Sequence, residues 1–205
     1  MAMLYPLFQE KGLRDFRMQH YAEMLGVSKA TLYKYFASRE ELLTYMINWK
    51  LKQIQGFEQH LFDPELPYLD RFTQALKIAS SHIAGLSNRF LADLKEMHPQ
   101  VWEQITAFID SATVMLENFY KEGQEHGAFV NMHTAVLTIS DKVMLMQLTD
   151  PDFLKSSGLK VHEALESYFI MKFSGIFNRE MVDENRMQKL LSELVEDLRS
   201  LEDQQ

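Results

Sequence analysis

Gly26-Val27-Ser28-Lys29-Ala30-Thr31-Leu32-Tyr33-Lys34-Tyr35-Phe36-Ala37-Ser38-Arg39-Glu40-Glu41-Leu42-Leu43 is the stretch that decides the fold. Gly26 tolerates the positive φ of a sharp turn, and Ser28 offers an oxygen to the free amides opening a short helix over Lys29 to Tyr35. Ser38 and Glu41 form a capping box that starts a longer helix through Leu42, Leu43, Met46 and Ile47, running to about His60. Upstream, a helix from about Met18 to Leu25 places Ala22 four residues before the glycine, where a small side chain lets two helices cross closely. Val27 is expected as the buried anchor of the turn. Two short helices joined this way have the layout of a helix-turn-helix. Leu32 and Phe36, four residues apart, face the core together, which turns Lys29, Ala30, Thr31, Tyr33, Lys34 and Tyr35 toward solvent or a groove. Ammonium groups and phenol hydroxyls on that face, beside the amides of a helix N-terminus, are the groups that bond phosphate oxygens.

Outward from this stretch, apolar residues recur at helical spacing with only five prolines to interrupt them, so the fold class is all-α. A first short helix is expected from Leu4 to Lys11, stopped by Gly12. After Asp63-Pro64-Glu65-Leu66-Pro67, helices are expected at Tyr68 to Gly85 and Arg89 to Met97. A long helix opens at His98-Pro99 and stops at Gly127. Asn131 is expected to cap a helix over Thr134 to Leu148, ended by Asp150-Pro151; a turn through Ser156-Ser157-Gly158 leads to an apolar helix over Val161 to Phe177. A last amphipathic helix starts near Asp183, with leucines in 4-3-4-3 spacing. The expected organisation is a three-helix head over residues 1–47, joined by a long helix to a larger helical-bundle body over 48–205.

Charge divides along the same line. Of 21 Lys/Arg and 29 Asp/Glu, residues 1–50 hold seven basic and five acidic groups and the rest hold fourteen and twenty-four, so a basic head is attached to an acidic body. The net charge of −8 argues against a protein that coats nucleic acid without specificity. With no cysteine, thiol catalysis and thiolate metal sites are excluded. The seven histidines include no pair four apart on one helix with a carboxylate partner, so no metal and no cofactor is expected. No phosphate loop or nucleophile elbow occurs, which argues against an enzyme. The absence of a long apolar run or a signal-peptide layout leads to the expectation of a cytoplasmic protein with no membrane partner.

The segment from Gly26 to Leu43, with Leu7-Phe8 and Gly12 ahead of it, resembles the head of TetR/AcrR-family transcriptional regulators. Phe90-Leu91-Ala92-Asp93-Leu94, His98-Pro99-x-x-Trp102 and Gly123-x-x-x-Gly127-x-Phe129 are similar to bodies found in part of that family. The resemblance implies a homodimer, a repressor placing two recognition helices on a pseudo-palindromic double-stranded operator and released by a small ligand. It implies that Tyr33, Tyr35 and Arg39 grip phosphates, with Ser28 at the helix start, while Lys29, Ala30, Thr31 and Lys34 face base edges. Where the family opens its second helix with threonines this chain has Phe16-Arg17, so a hydroxyl contact is missing and Arg17 stands as a cation in its place. A DNA-associated activator or interaction module with no inducer is the alternative, and a body without a cavity would favour it.

Met97, Trp102, Phe108, Met115, Phe119, Met144 and Phe169 are candidate walls of an apolar ligand pocket, since Met and Phe between helices suit such a ligand. The same stripe would serve equally as plain core. The helix at Val161 to Phe177 is apolar on more than one face, and by the resemblance it pairs with Thr134 to Leu148 in an intersubunit four-helix bundle. Val136, Val143, Leu165, Tyr168, Phe169, Lys172 and Ile176 are the candidate interface residues.

Overall fold

The computed structural model describes residues 13–14, 17–54, 57–83, 87–180 and 182–202, with side chains described except at 81–83 and 201–202. The first expected helix, with Leu7-Phe8 and Gly12, lies outside the described residues, as does Phe16. Among the described residues the chain is all-α: α1 (Met18–Met24), α2 (Lys29–Tyr35), α3 (Arg39–Ile54), α4 (Phe57–Leu61), α5 (Tyr68–Ile83), α6 (Asn88–Met97), α7 (Pro99–Glu125), α8 (Thr134–Leu148), α9 (Pro151–Ser157), α10 (Val161–Ile176) and α11 (Glu184–Glu202). A single antiparallel bridge, Phe129 with Phe177, joins the ends of α7 and α10. No helix among the described residues is long and apolar enough to cross a membrane.

Local chemistry accounts for most boundaries. At the turn after α1, Gly26 has φ +65°, and the Val27 and Gly26 amides donate to the Ala22 and Glu23 carbonyls at 2.9 and 3.1 Å. This pair of bonds satisfies the last carbonyls of α1. They, and not a buried side chain, hold the turn: Val27 is exposed, contrary to the expected anchor. Ser28 Oγ accepts from the Thr31 amide at 3.0 Å and Ser38 Oγ from the Glu41 amide at 3.1 Å, while Glu41 reaches back to the Ala37 amide at 2.7 Å. The helix expected to run to about His60 is described over Arg39–Ile54 and Phe57–Leu61, with residues 55–56 between them outside the described residues.

Asp150-Pro151 both ends α8 and starts α9, which the sequence reading passes over as a turn. Asp150 accepts from the Asp152 and Phe153 amides and also from the Asn88 amide, tying the starts of α9 and α6 together. Asn131 does not cap α8. His133 holds the cap position without a side-chain bond, because the segment before it is pinned by Gln124, which donates to the Val130 and Met132 carbonyls at 3.1 and 2.6 Å.

Burial falls into two cores. The smaller joins Leu13, Met18, Tyr21, Leu32, Leu42 and Met46 of the head to Phe90 and Leu94 of α6 and Val101 and Ile105 of α7. The larger lies among α5, α7, α8, α10 and α11, around stacked and edge-on rings of Phe72, Phe119, Phe129, Phe173 and Phe177. Gly123 belongs there of necessity, since a Cβ on it would lie 2.2 Å from the Phe129 ring. Asp141 forms the polar centre of the body. It accepts from Tyr120 and Tyr168 at 2.5 Å each and pairs with Lys172 at 2.6 Å. Burial first, then the Asp141 charge, pushes both phenols up, so they stay donors. Burial lowers Lys172, and Asp141 opposes that shift.

The seven candidate interface residues fall into two groups. Leu165, Tyr168, Phe169, Lys172 and Ile176 are buried within the chain, where the larger core and the Asp141 carboxylate hold them. Val136 and Val143 are 61% and 53% exposed, and Ile139, Ile170 and Met171 join them on an outward apolar face of α8 and α10.

Candidate nucleic-acid interface

α2 stands out from the head with one side packed and one side bare. Leu32 is buried and Phe36, half-buried, lies against the Tyr45 ring at 5.3 Å. Ser28, Lys29, Ala30, Tyr33, Lys34 and Tyr35 are exposed, Tyr35 at 74% and Tyr33 at 45%. The Lys29 ammonium sits 5.8 Å from the centre of the Tyr33 ring, a contact that stiffens both side chains at little cost. Thr31 is half-buried, its hydroxyl 2.7 Å from that of Ser28, so it belongs to the cap as much as to the outer face. Arg17, exposed, holds the cap position of α1, where its amide donates to His20 Nδ1 at 3.3 Å.

Arg39 is placed differently from the other cations expected on this face. It is half-buried and donates from Nη2 to the Leu13 carbonyl. Its charge bears on Tyr21, whose phenol is pushed up to about 12 by burial with Arg39 opposing, and on His98, lowered by burial and then by Arg39. Sequence spacing reports only that Arg39 follows Ser38; the inward direction comes from the Leu13 carbonyl and the buried ring of Tyr21. Nearby, Asp93 accepts from the Leu13 amide at 2.8 Å and from Arg14 Nε at 3.0 Å. Burial would raise this carboxyl, but the Arg14 bond and the backbone amides of Leu13 and Arg14 outweigh it and hold it below the usual range. Asp93 thus ties residues 13–14 to α6, and Arg39 ties Leu13 to α3. Asp93 lay in a segment read for resemblance, and nothing in its spacing marked it as a latch.

A fold of short helices with an exposed, cationic, tyrosine-bearing helix after a glycine turn matches a known family. Residues 5–46 match the model of the bacterial regulatory proteins of the tetR family. The head of the chain is thus similar to the heads of tetR-family regulators. The whole chain is 25% identical, over 89% of its length and 96% of the relative's, to YvaF of Bacillus subtilis (strain 168), an uncharacterized HTH-type transcriptional regulator. The fold is that of a TetR-family regulator from Marinobacter aquaeolei VT8, with 14% identity, a TM-score of 0.68, and 96% and 95% of the two chains covered. It is also that of the ketosteroid transcriptional regulator KstR2 of Mycobacterium tuberculosis, with 15% identity, a TM-score of 0.64, and 87% and 93% covered.

The body holds a cavity of about 190 Å³ at the seam between the two cores, walled by α3, α4, α5, α6, α7 and α8. Leu51, Leu91, Ile105 and Ile109 contribute from the head side, and Phe57, Leu116, Leu145 and Met146 from the body side. Of the seven expected wall residues, Phe108 alone lines it, and Met115 lines a second hollow next to it. Phe119 and Phe169 are fully buried in the larger core, and Met144 packs against that core. Trp102 packs on the smaller core beneath the Lys95 ammonium, and Met97 is exposed. The pocket lies where two cores fail to merge, and Met/Phe content does not report such a place; the aliphatic residues that line it read as ordinary core.

Proposed function

We propose that the protein is a repressor that binds a pseudo-palindromic operator as a homodimer and is released by a small, largely apolar ligand. Residues 1–47 are the DNA-reading part and 48–205 the sensing and dimerising part. The observation that carries this reading is α2, a helix with Lys29, Tyr33, Lys34 and Tyr35 bare on one side. Tyr33 and Tyr35 are assigned to phosphates; Lys29, Ala30 and Lys34 to the groove floor; Ser28, Thr31 and Arg17 to the rim and cap. Arg39 acts by fixing the end of the first segment against α3 through the Leu13 carbonyl, a positioning role in place of a phosphate contact.

The outward apolar face of Val136, Ile139, Val143, Ile170 and Met171 supports dimerisation, since a twofold pair needs a self-complementary patch. The seam cavity supports an inducer and speaks against the reading without one. A ligand there presses α3 away from α6 and α7, changing the separation of two heads that must span half-sites roughly 34–36 Å apart. In-vitro selection of duplexes by the full-length chain tests this. A twofold-related motif should be enriched, and Tyr33→Ala with Lys34→Ala should abolish the enrichment. A correctly folded dimer that enriches no motif would overturn the reading.

A further inference from the structure

We infer that the ligand is an apolar amine, its hydrocarbon part filling the seam cavity and its ammonium group lying against the Glu58 carboxylate. This rests on the cavity being the effector site. Four polar residues stand in the cavity wall, and three of them have their polar atoms engaged elsewhere. The Thr113 hydroxyl donates to the Ile109 carbonyl at 2.7 Å and that of Thr138 to the Thr134 carbonyl at 3.1 Å. The oxygens of Asp141 are taken up by Tyr120, Tyr168 and Lys172. Lys142, half-buried, is the fourth. The inner slot therefore suits hydrocarbon and leaves a polar head no satisfied place.

A second hollow of about 360 Å³ adjoins the slot, sharing Phe57, Phe108 and Ala112 as a common wall. Its remaining walls are Glu58, Gln59, Ser111 and Met115. Glu58 is the acidic residue on that wall; it is half-buried and has no ion-pair partner among the described residues. A carboxylate with part of its hydration removed, beside two aromatic rings at the junction, favours an ammonium over a carboxylate head. The acidic body, fourteen basic against twenty-four acidic residues after position 50, concentrates cations in the same sense.

The test uses the full-length protein and three probes of one chain length, octylamine, octanol and octanoate, titrated by calorimetry at neutral pH. Octylamine should bind roughly tenfold more tightly than octanol, and octanoate more weakly than either. Glu58→Gln should bring octylamine down to the level of octanol, while Lys155→Gln, outside both hollows, leaves it unchanged. Octylamine binding that ignores Glu58→Gln, or octanoate binding tightest and lost in Lys142→Gln, would overturn the proposal. Ala112→Trp, or Ala79→Phe should the first not fold, fills the slot and should block all three probes. Octanol blocked by the filled slot with no advantage for octylamine sinks the head-group assignment and leaves the effector cavity standing. If no probe binds, or none responds to filling, the cavity reading itself fails.

Discussion

Lys34→Gln separates charge from shape on the recognition helix. Lys34 is exposed near the end of α2, and a twofold pair presents it twice, so the substitution withdraws two cations from one duplex. A cation on the groove floor displaces counterions from the phosphates flanking it, adding up to about 0.9 to the slope of log affinity against log salt, so the slope should fall in magnitude by up to about 1.8. Over a fourfold rise in salt the variant should then lose up to roughly tenfold less affinity than the parent. Tyr35→Phe carries no charge change and serves as the contrast. It should weaken binding by about 1 kcal/mol per subunit at every salt concentration, with an unchanged slope. Fluorescence anisotropy with a labelled selected duplex, titrated between low and moderate salt, measures both. An unchanged slope in Lys34→Gln, or a changed one in Tyr35→Phe, would refute the assignment of this face to DNA.

Three other predictions concern the body and its seam with the head. Gly123→Ala places a methyl 2.2 Å from the Phe129 ring and should cost about 1–3 kcal/mol in denaturant unfolding; adding Phe129→Leu should recover part of it, and additive losses would show the contact to be irrelevant. Asp141→Ala leaves Lys172 buried without its counter-charge and should cost about 3–5 kcal/mol, whereas Asp141→Ala with Lys172→Met should be closer to the parent; a double variant as unstable as the single one would contradict the network. Burial, then Arg39, holds His98 below the ordinary histidine value, so the folded state stays neutral where the unfolded chain takes up a proton. That contribution is complete above about pH 6.5 and is lost as pH falls through it, at up to about 1.4 kcal/mol per pH unit. His98→Gln should flatten this part of the stability profile, and an unaltered slope between pH 5 and 6.5 would count against a buried neutral His98.

The tertiary structure reassigns residues that share a periodicity. Val136 and Tyr168 both lie on apolar helices, and the family resemblance puts both among the candidate interface residues. In the fold Tyr168 turns inward to Asp141 while Val136 points out. A helix apolar on two sides has no intrinsic inner face; what chose it was a carboxylate on α8 needing donors in a place without water. Arg39 illustrates the same limit, since a cation next to a helix cap reads as surface until a carbonyl from residue 13 appears beside it.

The sequence by itself determined the head, because its signals are local. A glycine at positive φ, two serine caps and a buried Leu32 define α1, α2 and the start of α3 within about twenty-five residues, and the tyrosines and lysines are exposed because the core side is already taken. Helix number and order in the body were likewise legible from apolar spacing, apart from α9, whose cap doubles as the previous helix's stop. Only the tertiary structure decided which face of α10 is buried, where the cavity lies and what joins head to body. Those depend on contacts between residues far apart in the chain, as Leu13 with Asp93 and Asp141 with Lys172, and side-chain periodicity carries no information about partners at that separation.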